Sequence, residues 1–323
     1  MRPLYVEYPA QGQMRLVDLQ PPPDNVGPHE ILIHTRYSGI TNGTERHALV
    51  GEHGFTIYPN GHGYQCVGDI VMVGDEVSTF KVGQTVFFGR YVGHRGYHVV
   101  NLAGGGSPLI VPLPDGIDLQ QCALLGVAGV GMRHVRRCRI GVGQNVWVIG
   151  AGLIGTFVAQ GARIAGARVT VSDVNRSRLD LATTVRADQV VDATDEDVWD
   201  QLTNAGPFNV IVDAAGMPDV IMEVARHQDV FAVDHPVIGL VAVRGETTFP
   251  WGLFHGAREG SIEVSCHFSE SDIEAVIQGI VLGTIHVDPL ITHHVPITYA
   301  ADIYELLRDR PGELLGVVFD WSD

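Results

Sequence analysis

Asn145-Val146-Trp147-Val148-Ile149-Gly150-Ala151-Gly152-Leu153-Ile154-Gly155 decides how this chain is read. An apolar run of strand length passes directly into Gly-x-Gly-x-x-Gly, and a helix-compatible segment continues from Thr156 to Ile164. A second apolar run, Ala167 to Val171, ends in Ser172-Asp173, which puts Asp173 18 residues beyond Gly155. In such a strand–turn–helix, Gly150 permits the tight turn and Gly152 lets the backbone approach a pyrophosphate. Gly155 lets the helix pack on the strand. The helix start, with Leu153 and Ile154 in its first turn, offers unpaired N–H groups and the positive dipole end to phosphates. Asp173 stands where a carboxylate accepts hydrogen bonds from the adenosine ribose. The segment predicts a dinucleotide-binding unit.

Around it, strand and helix patterns alternate: Val169–Ser172, Arg176–Val185, Gln189–Val191, Val198–Asn204, Val210–Ala214, Val220–Ala225 and Val237–Val243. That alternation predicts a parallel sheet covered by helices on both faces. An apolar segment from Gln120 to Val135 reads as one helix leading into the nucleotide strand. Upstream the pattern is different. Glu30–Tyr37, Gly68–Val73 and Gln84–Phe88 read as short strands separated by turn signals, and Gly104-Gly105-Gly106-Ser107-Pro108 reads as a loop. The tail from Pro289 holds a helix, Tyr299–Arg308, and a closing strand, Leu315–Phe319. A strand placed there can rejoin the β-rich block. The expected division is residues 1–118 with 286–323 against residues 119–285.

Composition sets bounds. The 323 residues suffice for two cores, and a formal net charge of −16 argues against nucleic acid or an anionic membrane as partner. No apolar run approaches the roughly 20 residues of a membrane span. The start, Met1 to Val6, lacks the apolar core of a signal peptide, so a cytoplasmic location is expected. Cys66, Cys122, Cys138 and Cys266 show no C-x-x-C spacing and read as reduced thiols packed as small core residues.

The order of further motifs resembles the medium-chain dehydrogenase/reductase superfamily, the alcohol dehydrogenase-like enzymes. The motifs are Tyr37-Ser38-Gly39-Ile40 before Gly43-Thr44-Glu45, Gly61-His62-Gly63, Val73-Gly74-Asp75-Glu76-Val77, and Phe80 to Val86. Asp213-Ala214-Ala215-Gly216 and Pro289 to His293 follow. The resemblance covers nearly the whole chain. It implies α/β architecture: a GroES-like β-rich catalytic domain, a Rossmann doubly wound parallel-sheet domain, and a substrate cleft between them. It also implies a homodimer through the Rossmann sheet edge near Val237 to Val243. Gly150, Gly152, Leu153, Ile154, Gly155, Asp173, Arg178, Ala214 and Ala215 then fall at cofactor positions. Asp173 favours NAD, since it repels a 2′-phosphate, while Arg176 and Arg178 leave NADP open.

The departures from the family are at the metal. Zinc members usually supply a Cys, a His and a third Cys or acidic ligand, but here Thr41 or Asn42 stands at the cysteine. Gly63 follows His62, Leu125 to Ala128 carries no ligand, and no cysteine lies between Phe88 and His98. Catalytic zinc needs three protein ligands and an open position. No zinc is therefore expected, an unusual Glu45/His62/His47 set being the remaining arrangement.

Without metal, a side chain must stabilise and protonate the developing alkoxide. The candidates are Glu45, paired with His62 or acting directly, and His62 itself. Thr44 and His47 match family positions that pass a proton to solvent. Each has a plainer reading: Thr44 as a helix cap, His47 as a surface histidine, His62 as a satisfied loop residue, Glu45 as a structural partner of an arginine. Thr41, Tyr64 and Trp251 are candidate substrate contacts. The motif Ser38 to Glu45 is most similar to the subgroup around bacteriochlorophyllide dehydrogenases, which includes enzymes of sugar and aminocyclitol metabolism. A small-molecule substrate follows, a secondary alcohol or ketone on a polar ring in a biosynthetic pathway. The alternatives are an enone or quinone reductase without zinc and a nucleotide-binding protein without catalysis.

Overall fold

The computed structural model describes residues 3–52, 56–104, 107–217, 219–232, 234–242, 245–255 and 259–322. Gly105, Gly106 and Val243 of the expected loop and strand lie outside the described residues. Contacts divide the chain into two units, Met1–Gly126 with Ile291–Asp323, and Val127–Leu290.

The first unit opens with β1 (Leu4–Glu7) and β2 (Arg15–Asp18), an antiparallel pair. Then come β3 (Glu30–Gly39), helix α1 (Asn42–Val50), β4 (Cys66–Val73), β5 (Thr85–Phe88), β6 (Tyr97–Asn101), β7 (Ile110–Pro112) and helix α2 (Leu119–Cys122). Strand β3 is the hub, pairing antiparallel with both β4 and β6. Alternation along it buries Ile31 and Ile33 against Ile70, Val86, Phe88 and Val100, which form one core. The expected helix over Gln120–Val135 is instead two. Helix α2 ends at Cys122, and α3 (Leu125–Arg137) starts after Ala123-Leu124. Ala123 is held tight to β3, since a Cβ on Gly39 would lie 2.2 Å from its carbonyl oxygen.

The second unit runs β8 (Asn145–Ile149), α4 (Leu153–Ile164), β9 (Arg168–Asp173), α5 (Arg176–Thr184), β10 (Gln189–Asp192), α6 (Val198–Ala205) and β11 (Val210–Asp213). Next come α7 (Val220–Arg226), β12 (Val237–Leu240), α8 (Trp251–Phe254), β13 (Ser261–Val264) and α9 (Glu270–Val281). Its sheet is parallel throughout, in the order β10-β9-β8-β11-β12-β13. Numbered from β8, this is 3-2-1-4-5-6, the doubly wound dinucleotide order. Val146 and Val148 on β8 are wholly buried, and the Trp147 indole N–H is satisfied by Ser172 Oγ at 2.8 Å. The expected sheet edge at Val237–Val243 is corrected: β12 lies inside the sheet, because the chain returns with β13 beside it. Strand β13 and helix α9, which a Ser269–Asp272 capping box opens, have no counterpart in the sequence reading.

The tail returns to the first unit. Strand β14 (Ile291–Pro296) pairs parallel with β15 (Gly316–Asp320), which in turn pairs antiparallel with β3. Helix α10 (Ala300–Asp309) lies between them in sequence and packs Ile303, Tyr304 and Leu307 with Tyr8, Leu49, Phe319 and Trp321. No described helix is long and apolar enough to cross a membrane.

Candidate active site

Helix α1 positions the acidic candidate. Thr41 is its N-cap residue, so the reading of Thr44 as the cap gives way: the helix starts at Asn42 and Thr44 lies inside its first turn. The Thr41 side chain makes no cap bond; its backbone N–H donates to Glu45 Oε1 at 2.8 Å. Glu45 is wholly buried, and its other oxygen receives the Tyr304 hydroxyl at 2.5 Å and meets His94 Nε2 at 3.0 Å. Burial alone would push this carboxyl up. The charge and hydrogen bond of His94, the charge of His62 and the Tyr304 hydroxyl outweigh it and hold it below the usual carboxylate value. Burial and the Glu45 carboxylate keep the Tyr304 phenol far above its usual value, so it stays a donor.

The hydrogen-bonded imidazole partner of Glu45 is therefore His94, not His62. His94 Nδ1 meets Ser38 Oγ at 2.8 Å, and the Trp321 indole donates to the same hydroxyl at 2.9 Å. Among the described residues no arginine partners Glu45. His62 interacts with Glu45 through charge; its own Nδ1 accepts the Gly63 N–H at 3.1 Å, which leaves the proton on Nε2. Burial draws its pKa below the ordinary histidine value, and Glu45 offsets part of this. Tyr91 meets the His62 ring edge-on at 5.4 Å and packs on Tyr64 at 4.8 Å. His47 sits at the surface end of α1, with Nε2 at 3.1 Å from Glu52. Gln65 spans from Gly39 O to Thr41 Oγ1.

Glu45, His62 and His47 do not form a metal set. Among the described residues no three His, Cys, Asp or Glu side chains are grouped to hold an ion. Asn42 spends its amide donors on the Leu314 and Leu315 carbonyls, at 3.2 and 2.8 Å. Cys66, Cys122 and Cys138 are buried, with thiols pushed up by burial to about 12. Cys266 differs from expectation in being exposed, on the segment after β13.

In the second unit the nucleotide turn is held from three sides. Gly150 has φ +99°, and a Cβ on it would lie 3.0 Å from Ala215 N, so the Ala214-Ala215 turn closes over it. Asp213 shapes that turn by accepting the Ala215 and Gly216 N–H groups. A Cβ on Gly155 would collide with Gly150 O at 1.9 Å. At Gly152 a Cβ would meet nothing within 4 Å: no protein packing demands glycine there, and the space is open for a ligand. Gly152 caps α4 without a side chain, leaving the N–H groups of Leu153 and Ile154 to the first turn. Asp173 accepts from Ala151 N at 2.7 Å and Asn175 N at 2.8 Å, which fixes its carboxylate beside the turn. Asn175 also caps α5, where Arg178 lies in the first turn. A dinucleotide fits this cradle. Trp251 is 71% exposed, its ring stacked on His255 at 5.4 Å.

Residues 27–108 match the family model "Alcohol dehydrogenase GroES-like domain", and residues 154–281 match "Zinc-binding dehydrogenase". L-Galactonate-5-dehydrogenase of Escherichia coli K12 is 30% identical over 306 residues, 86% of this chain and 88% of that protein. The chain belongs to the medium-chain dehydrogenase/reductase superfamily. It is an oxidoreductase of the dehydrogenases acting on CH–OH groups. An alcohol dehydrogenase of E. coli CFT073, complexed with NADH, has the same fold at TM-score 0.86, 19% identity and 99% coverage of both chains. So does a zinc-binding dehydrogenase of Sinorhizobium meliloti bound to NADP, at 0.85, 19% and 99% of both.

His94, Ser38, Tyr304 and Trp321 escaped the sequence reading. The one available signal was the histidine pair in Gly93-His94-Arg95-Gly96-Tyr97-His98, where zinc-lobe members of the superfamily carry cysteines.

Proposed function

We propose that this chain is a zinc-independent, NAD(P)-dependent dehydrogenase or ketoreductase, acting between a secondary alcohol and a ketone on a polar ring of the sugar or aminocyclitol type. The observation that carries this is the placement of Glu45. Its carboxylate is sealed from solvent and engaged by His94, Tyr304 and the Thr41 N–H, so it serves no metal, while His62 keeps an Nε2–H. The relative named for L-galactonate, an open-chain sugar acid, supports a sugar-type secondary alcohol though not the ring, and the NADH- and NADP-bound relatives support the cofactor.

A bound nicotinamide dinucleotide supplies or accepts the hydride at the substrate carbon. In reduction, His62 Nε2–H meets the carbonyl oxygen as negative charge develops there. Thr44 and His47, one turn apart on α1, carry a proton inward to the alkoxide in reduction and outward in oxidation, with Glu52 contacting His47 at 3.1 Å. Asp173, fixed by two N–H groups, favours the free ribose of NAD.

The test is turnover by metal-stripped protein with NADH and NADPH against cyclic ketones, enones and quinones. Ketone reduction that survives chelation supports the proposal, and His62→Gln should then lower kcat by about 100-fold. Activity restored only by added zinc, or confined to enones and quinones, sinks it.

A further inference from the structure

From Glu45 a buried polar chain runs through His94 and Ser38 to Trp321, and no step above uses these last three side chains. Trp321 donates to Ser38 Oγ, Ser38 meets His94 Nδ1, and His94 Nε2 meets Glu45, the contacts lying between 2.8 and 3.0 Å. Both ring nitrogens are engaged: Nδ1 shares a hydrogen bond with the Ser38 hydroxyl, which also accepts the indole N–H, and Nε2–H donates to the carboxylate. An imidazole bonded at both nitrogens cannot turn, and Phe319 meets this one edge-on at 5.6 Å.

That clamped ring lies directly against Gly63. A Cβ at position 63 would sit 2.7 Å from His94 Cδ2 and Nε2, and Gly63 has φ +128°, a conformation that side chains with a Cβ avoid. The Gly63 carbonyl accepts the Gly93 N–H at 3.0 Å, tying the segment to the loop that carries His94. The Gly63 N–H is the group that donates to His62 Nδ1. The peptide that selects the His62 tautomer is thus seated on the His94 ring.

We infer that His94 is a positioning residue for His62: clamped by Ser38 and Glu45, it seats the Gly63 peptide whose N–H keeps the His62 proton on Nε2. The inference rests on the reading of His62 as the donor to the substrate oxygen. Ser38 and Glu45 hold the His94 ring directly, and Trp321 and Tyr304 hold them in turn.

The experiment is ¹⁵N spectroscopy of imidazole-labelled full-length protein, alongside kinetics with the cyclic ketone the wild type reduces. In wild type, His62 reads as the Nε2–H tautomer. His94→Gln keeps a donor for Glu45 but removes the ring from beneath Gly63, and His62 should become a tautomer mixture. With it kcat should fall about 10- to 100-fold while KM and NADH affinity stay within about twofold. A role limited to stability would lower the melting temperature and leave the tautomer alone. A folded His94→Gln protein whose His62 remains purely Nε2–H overturns the inference. If His94→Gln does not fold, Gly63→Ala, which drives a methyl against the ring, must give the same mixture, and an unchanged tautomer there is equally fatal. Should His62→Gln retain full turnover while His94→Gln still shifts the tautomer, the positioning stands and the catalytic reading of His62 falls.

Discussion

Glu45 in the first unit and Asp173 in the second are both carboxylates that hold backbone N–H groups, and they are built in opposite ways. Asp173 is local. It ends β9, and its partners, Ala151 and Asn175, belong to the turn and cap that the sequence pattern already marks. It remains part-exposed, its charge half in water. Glu45 is sealed, and its ionisation depends on donors from positions 94 and 304 together with the N–H of Thr41. A buried anion of this kind survives only because every lone pair it needs is met, and removing one partner strands the rest. A part-exposed carboxylate at a strand end leaves its two N–H partners to water when it is exchanged, a smaller cost to the fold. A carboxylate at the centre of a buried cluster leaves its partners buried and unmet, a larger one.

Removing the buried member should have the largest effect. Glu45→Ala leaves His94 and Tyr304 without their acceptor and should cost about 3–5 kcal/mol in chemical denaturation of the full chain. A loss below about 1 kcal/mol would put Glu45 on the same footing as any surface acid. Gly152→Val probes the local member. A Cβ there meets no protein atom within 4 Å, so the melting temperature should hold, while NADH affinity by fluorescence titration should fall at least about 100-fold, about 2.7 kcal/mol. Preserved affinity would mean the open space above Gly152 is not where the phosphates lie.

Acid should act on the buried side of the comparison. His98 and His134 are held neutral, burial pushing them down to about 3 and about 4. A depressed histidine takes up protons more readily in the unfolded chain, so its contribution is complete above the unfolded value near 6.5 and declines as pH falls towards the folded one. Between pH 7.5 and 4.5 each should remove about 2–3 kcal/mol. Glu45, held below 4.5, adds a loss of the same sign as pH falls further. Denaturation midpoints against pH for wild type and His98→Gln should diverge below pH 6.5, and parallel curves would mean that His98 is not buried neutral. The smallest effect belongs to the exposed member: Asp173→Asn should lower the NADH-over-NADPH preference about tenfold, about 1.4 kcal/mol, measured as the ratio of kcat/KM. No change in the ratio would remove Asp173 from the ribose site.

How much was legible follows from the range of the interactions. Strand β8, the turn at Gly150–Gly155 and helix α4 are contiguous, and period, glycine spacing and terminal acid are all written within 29 residues, 145 to 173. The alternation beyond them carried the parallel sheet, since each βα unit declares itself by its own apolar pattern. The return of the tail to β3 was legible as a strand following a helix. Strand β13 was not, because the short half-polar Ser261-Ile262-Glu263-Val264 takes its strand form from pairing with its neighbour β12, and its addition moved the sheet edge.

Helix α1 and the candidates Thr44, Glu45 and His47 were readable from one segment, but the partner of Glu45 was not. His94 is 49 residues away and Tyr304 is 259, separations over which no periodicity or spacing carries information. Local chemistry settled which residues turn, cap and alternate, because those preferences act through one or two peptide bonds. Which imidazole meets the buried acid depended on where β3, α1, the loop after β5, α10 and the segment after β15 converge. That convergence is set by packing of side chains remote in sequence, which the order of residues records only collectively.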